Sequence, residues 1–334
     1  MLTFMPLAPG THGDALVLLL AVLVVDLFLG LVPGMARFVP DGTAIFTSVA
    51  RALERRLNRE GRTRRNLLIR GAIVTLLLVA LGAGTGIALF EASKAVPYGW
   101  AIDALVLLVC VSGRRVFFDL RRGLAFAASN DIDQGRALVA ELTGRDSSRL
   151  DRFGLVRVVI EMGAIGFCRR VLVPVFWYLL LGLPGLLASR AVAQIARAVL
   201  LRDREGRAFG AAALSLDHAL GLLPSYVAAY FLSFAAALAP RAKVGSALHF
   251  MALDAHRDSL VNDGRVKAAI AGALGLALGG PFGTKGGGGG DAWIGNGRAR
   301  VGQGDIRSVF YLCAVGSLFN IMLVAALTLA LVRL

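Results

Sequence analysis

The stretch Leu67–Phe90, LLIRGAIVTLLLVALGAGTGIALF, decides the fold: it holds one charged residue, Arg70, in 24 positions. A helix of that length covers about 36 Å, enough for a hydrocarbon core of about 30 Å. Arg70 lies near enough to its start for the guanidinium to reach the interface. Three further runs read the same way: Ala15–Val32, interrupted by Asp26; Tyr98–Gly113, carrying Asp103; and Val309–Val332. The first has neither a basic n-region nor a small-residue cleavage site, so a retained span is expected, not a removed signal peptide. The fold class expected is all-α, a polytopic transmembrane helical protein.

Composition agrees. Of 334 residues 57% are hydrophobic and 17% charged, against about 45–50% and about 25% in soluble domains. The net charge of +14 sits between the apolar runs, where it orients the chain against an anionic leaflet; nucleic acid is not an expected partner. Arg37, Arg51, Arg55, Arg56, Arg59, Arg62, Arg64 and Arg65 crowd between Pro33 and Asn66, whereas Glu91–Pro97 holds only Lys94 and the chain before Asp14 holds no Lys or Arg. The positive-inside rule then predicts a multi-pass protein of the cell (inner) membrane, N-terminus outside, with most polar segments cytoplasmic. The third run returns inward at Arg114 and Arg115, and residues 114–160 have the spacing of cytoplasmic amphipathic helices. Cys110, Cys168 and Cys313 stand singly and read as small core residues.

The middle of the chain is less regular. Residues 171–188 are apolar but basic at both flanks, with Arg169 and Arg170 before and Arg190, Arg197, Arg202, Arg204 and Arg207 after. Pro174 and Pro184 suit a broken helix or re-entrant hairpin, and residues 209–239, with Pro224 inside, invite the same reading. Residues 279–304 are glycine-rich and read as a flexible cytoplasmic loop; Thr284-Lys285-Gly286 lacks the order of a phosphate-cradling loop. There is no internal repeat, and residues 1–334 are expected to form one membrane domain.

Several stretches resemble the CobD/CbiB family, the membrane-bound adenosylcobinamide-phosphate synthases. They are Asp26, Gly30 and Pro33, then Leu53-Glu54-Arg55-Arg56-Leu57-Asn58-Arg59, then Gly144-Arg145-Asp146-Ser147-Ser148-Arg149-Leu150-Asp151. Glu161, Pro174-Val175-Phe176-Trp177, Gly182-Leu183-Pro184-Gly185, Leu216-Asp217, Asp254-Ala255-His256 and Asn262-Asp263-Gly264 continue in the same order. The departures concern charge. Where the family pattern places Ala-Glu-Asn-x-x-Asp-Gly, this chain has Ala164-Ile165-Gly166-Phe167-Cys168-Arg169-Arg170; where it places Asn-x-x-Asp, this chain has Ala193-Gln194-Ile195-Ala196. His218 replaces the second acid of an Asp-Asp pair, and Lys267 replaces a Glu.

The resemblance implies ATP-dependent amide formation between adenosylcobyric acid and an aminopropanol phosphate, with Mg2+ held by carboxylates or phosphates. The lost acids make the chain ill-equipped for Mg2+. Two expectations follow: a non-catalytic membrane component, structural or regulatory, or an amide synthase with an altered site. No cofactor or metal site is evident from the residues; ATP, Mg2+ and a corrinoid substrate belong to the synthase reading only. Catalytic candidates are Glu161, Asp217, His218, Asp254 and His256, with Arg145, Asp146, Asp151 and Asn262 as further family-motif residues. Each has a plain structural alternative: Glu161 can pair with Arg157 one turn back, and Asp146 and Asp151 stand where acids favour a helix start. Asp26 and Asp103 are ionisable residues in apolar spans, and Asp26 has Arg37 or the 51–65 segment as candidate partners. Arg169, Arg170, Arg202, Arg207 and Lys267 are the candidate anion-binding set, sharing a vestibule for a phosphate-bearing ligand, a lipid headgroup or an acidic protein surface, with Glu161, Glu205 and Asp217 as internal partners. The alternative is that these arginines are separate topology signals. Other expected partners are the lipid bilayer and a second copy of the chain.

Overall fold

The computed structural model describes residues 12–35, 63–129, 131–200, 208–258, 260–280 and 292–332. They are almost entirely α-helical. In chain order the helices are α1 (His12–Leu31), α2 (Arg64–Ala95), α3 (Trp100–Cys110), α4 (Gly113–Ser129), α5 (Ile132–Thr143) and α6 (Arg152–Phe167), then a π-helical turn (Cys168–Leu172). There follow α7 (Val173–Leu200), α8 (Ala211–Ala235), α9 (Val244–Asp254), α10 (Val261–Leu274) and α11 (Gln303–Val332). Among the described residues four segments are long and apolar enough to cross a membrane, Arg64–Ala95, Arg152–Ala198, Ala211–Leu238 and Gln303–Leu331, with Ala15–Leu31 a shorter apolar helix. Large apolar side chains such as Leu76 (70% exposed) and Leu77 (61%) face outward on α2, as lipid-facing residues do.

Three segments differ from the sequence expectation. The run Tyr98–Gly113 is not one span. Its helix, α3, has 11 residues and is about 16 Å long. Val111 and Ser112 leave the helix and turn a corner, where the Ser112 N–H donates to Arg170 O at 3.1 Å; hydropathy counts such corner residues as span. The run 209–239 is not a hairpin but one continuous helix through Pro224. Proline removes the N–H owed to Leu220 O, and Trp177 Nε1 supplies a substitute donor at 3.0 Å. In the glycine-rich run, Leu278–Gly279 (β1) and Trp293–Ile294 (β2) pair antiparallel; residues 281–291 lie outside the described ones.

Residues 171–188 do fold back. Arg190 Nη1 reaches Arg169 O at 3.0 Å, whereas 21 residues of unbroken helix would separate them by about 31 Å. The reversal is at Gly182, φ 63° and ψ −150°, backbone that a residue with a Cβ takes only under strain. The returning limb runs along α2: a Cβ on Gly86 would lie 2.5 Å from Pro184 Cα.

At the foot of the hairpin Pro174 has no N–H to offer, either to Arg170 O in α-register or to Arg169 O in π-register. Ser112 N satisfies the first and Arg190 the second. The proline thus costs no buried carbonyl, and the π-turn swings Arg169 and Arg170 out of the α-helical register.

Replacing Trp177 with Phe is expected to lower stability by about 1 kcal/mol, the net worth of one buried hydrogen bond. In a Pro224→Ala background, where residue 224 regains an N–H for Leu220 O, the same change is expected to cost markedly less. A double-mutant cycle of thermal unfolding in detergent reads the difference, and equal losses in both backgrounds refute the substitution of donors.

Candidate functional site: an ion-paired cluster between α6, α8 and α10

Helices α6 and α10 are buried nearly all round, so polar side chains on them must find partners inside the protein. From the π-turn, Arg169 extends towards α8 and α10. Its Nε and Nη2 donate to Asp263 Oδ1 and Oδ2 at 2.7 and 3.2 Å, and its Nη1 to Asp217 Oδ2 at 3.0 Å. One guanidinium therefore ties the hairpin foot to two helices, with the bidentate geometry that fits arginine to a carboxylate.

One turn along α10, Lys267 Nζ lies 2.7 Å from Asp258 Oδ2 and 3.2 Å from Glu161 Oε2. Burial works against the ammonium, but Glu161 and Asp258 outweigh it and hold Lys267 protonated above its ordinary value. Stability from this pairing is present below the unfolded lysine value of about 10.4. It is lost only as pH rises through the higher folded value, so neutral and mildly alkaline pH leave it intact. Glu161 Oε1 also accepts the Gly279 N–H at 2.7 Å. Asp254 does the same just after the paired strand, taking the Gly295 N–H at 2.7 Å while facing Arg257 Nε at 3.2 Å. Two buried carboxylates thus hold the two-stranded pin against the helices.

The expected partners change accordingly. Glu161 pairs with Lys267, not with Arg157, which donates to Ala299 O at 2.9 Å and lies over the Trp293 ring. Asp26 meets Arg114 at 2.9 Å; Arg37 and the 51–65 segment lie outside the described residues. Asp217 joins the cluster while neighbouring His218 and, in the turn that follows α9, His256 are exposed, so neither histidine shares the site. Asp151 caps α6 through the Gly154 N–H at 2.7 Å. Asp146, held below the usual carboxylate range by the Ser148 N–H and hydroxyl, closes an exposed turn beside Arg145. Asn262 docks α10 on α8 by donating to His218 O at 2.7 Å.

Within the candidate anion set, Arg169 and Lys267 each face two carboxylates, and Arg170 turns the other way, to Asp119 on α4 at 3.7 Å. Burial pushes the Asp119 carboxyl up, opposed first by Arg170. Arg202, Arg207 and Glu205 lie outside the described residues. Two cluster members, Asp258 and Asp263, had no assigned role in the sequence. Asp263 and Lys267 are an opposite-charge pair four residues apart on one helix, a local signal; the bond to Arg169 spans 94 residues and has none.

The Mg2+ that the resemblance implies does not fit these residues. Among the described residues no three His, Cys, Asp or Glu side chains are placed to share a metal ion, and Asp217, Asp263, Glu161, Asp258 and Asp254 each already face a guanidinium or ammonium.

The fold and cluster together define a polytopic, all-helical membrane protein with a charged interhelical junction. The profile of the CobD/Cbib protein family matches residues 18–313, and the chain belongs to that family. Proteins named "Cobalamin biosynthesis protein CobD" are similar to it. That of a Sinorhizobium species is 30% identical over 273 residues, 80% of this chain and 84% of that protein. That of Brucella melitensis is 30% identical over 270 residues, 80% and 82%. That of Citrobacter koseri is 29% identical over 281 residues, 82% and 86%. No solved structure matches the chain.

Proposed function

We propose that the protein serves cobalamin biosynthesis as a non-catalytic component of the inner membrane, structural or regulatory, with its N-terminus outside and its charged junction cytoplasmic. One observation supports this above others. At two positions where the family pattern has a carboxylate the chain has Arg169 and Lys267, and each is clasped by two acids from other elements. A junction rebuilt around resident cations has the character of a scaffold, because its carboxylates are already committed and a divalent ion would have to displace an arginine or a lysine.

A second reading, an ATP-dependent amide synthase acting on adenosylcobyric acid and aminopropanol phosphate, draws support from the carboxylates that persist. Glu161 and Asp254 converge on the pin of β1 and β2. Complementation separates the two. The gene is expected not to restore cobalamin synthesis to a strain lacking its own synthase, and the purified protein not to turn over ATP with both substrates. Turnover that falls in Glu161→Gln or Asp254→Asn establishes the synthase instead. The orientation has its own test: a cysteine introduced at Gly61 is expected to be labelled only from the cytoplasmic side and one at Ala92 only from outside, and the reverse pattern refutes it.

A further inference from the structure

We propose that Arg265 is the receptor for an oxyanion of the phosphate class, at a site between α8 and α10 that is independent of the catalytic question. Arg265 is 5% exposed, and a cation that deep is unfavourable without an anion or a full set of acceptors. The other deeply buried arginines have one or the other. Arg114 has Asp26 and the carbonyls of Leu108 and Val111. Arg190 has the carbonyls of Cys110 and Arg169 and the Ser112 hydroxyl.

Arg265 uses a single nitrogen. Nη1 donates to the Ser225 hydroxyl and to Asn262 Oδ1, the latter at 3.3 Å, and both partners are neutral. Nε and Nη2 make no hydrogen bond to the described residues, and neither is among the side-chain atoms sealed away without a partner. Those two N–H groups form the edge of the guanidinium that a phosphate or carboxylate grips with two parallel bonds.

The surroundings hold that edge in place. Asn262 is fixed by its own donation to His218 O at 2.7 Å, so the Nη1 end is anchored. The Tyr226 ring centroid lies 3.7 Å from Cζ and covers one face of the guanidinium. Only the Nε–Nη2 edge is left for a ligand. Asp263, two residues away, is engaged by Arg169. The α8 face around Tyr226 exposes Leu223 at 59% and Tyr230 at 42%, an apolar surface of lipid-facing character. The phosphate therefore has two possible sources, a phospholipid headgroup or a soluble phosphoryl compound.

Two binding arms test the proposal on the full-length protein. In phosphatidylcholine nanodiscs, pyrophosphate binding is titrated calorimetrically. After delipidation, retention of added phosphatidylglycerol is read by native mass spectrometry. Saturable binding is expected in one arm, weakened about tenfold or more in Arg265→Gln and unchanged in Arg300→Gln, an exposed arginine of the post-strand loop. The arm that responds identifies the source. Binding in neither arm, equal binding by Arg265→Gln, or an equal loss in Arg300→Gln overturns it. Should Arg265→Gln fail to fold, phenylglyoxal modification of the unaltered protein decides: slower modification at Arg265 with the bound probe supports the site, and no protection refutes it.

Discussion

Replacing Arg169 with methionine is expected to destabilise the protein by about 2–3 kcal/mol. Removing one partner of a buried ion pair costs about 3–5 kcal/mol because the other charge is stranded. The estimate is discounted because the side chains of Arg169, Asp217 and Asp263 keep 27%, 15% and 11% exposure and water screens part of the interaction. The sign is diagnostic. If the arginines shared a vestibule of like charge, removing one would relieve repulsion and raise stability; in the observed cluster it strands two carboxylates. Neutralising those acids in the same protein, Arg169→Met with Asp217→Asn and Asp263→Asn, is expected to recover more than half of the loss, since a neutral junction avoids uncompensated charge. Thermal unfolding in mild detergent measures all of these, and a single Arg169 variant at least as stable as the starting protein refutes the junction as a structural element.

What was legible in the sequence is what neighbouring residues determine. Leu67–Phe90 has one charge, so its helix and its place in lipid follow from composition alone, and α2 spans Arg64–Ala95. The basic residues at both flanks, with Pro174 and Pro184 inside, pointed to a broken helix or hairpin at residues 171–188, and the reversal falls at Gly182. The same logic misread Pro224, where the compensation comes from Trp177, which donates to Leu220 O and lies 43 residues upstream of Leu220. A proline's consequence depends on whether a distant donor reaches the carbonyl it frees, and no local pattern carries that. The site divides likewise. Glu161 and Asp217 were legible as acids among the cations that include Arg169 and Lys267, but the individual pairs and the acids Asp258 and Asp263 were not, because Arg169 and Asp263 lie 94 residues apart and Lys267 and Glu161 are on different helices. Counting cations gave a basic vestibule; pairing them gave a junction in which Arg169 and Lys267 each face two carboxylates.

The largest single effect is expected at Asp26, where substitution by alanine is predicted to cost about 4 kcal/mol, within the range for stranding a buried charge. Its carboxylate meets Arg114 Nη1 at 2.9 Å and the Arg114 backbone N–H at 3.2 Å. The side-chain exposures are 0% for Arg114 and 5% for Asp26, so solvent screening offers little relief. One acid thus does two jobs, balancing the guanidinium and capping the first turn of α4, where the helix dipole favours a negative charge. The approach is close enough that Gly113 has no room for a Cβ, which would lie 2.6 Å from Asp26 Oδ2. Asp26→Asn keeps an acceptor for the backbone N–H but loses the charge, so it is expected to cost less than Asp26→Ala and more than about 1 kcal/mol. Asp26→Ala combined with Arg114→Leu is expected to be more stable than Asp26→Ala alone, because no cation is then left without its anion. The loss should also reach the charged junction. The corner that Asp26 pins includes Ser112, whose N–H holds Arg170 O in the π-turn beside Arg169. Hydrogen exchange on Asp26→Asn is therefore expected to show faster exchange at residues 168–172 as well as at the start of α4. Exchange unchanged at the π-turn, with α4 alone loosened, would mean that the corner and the hairpin foot do not support one another.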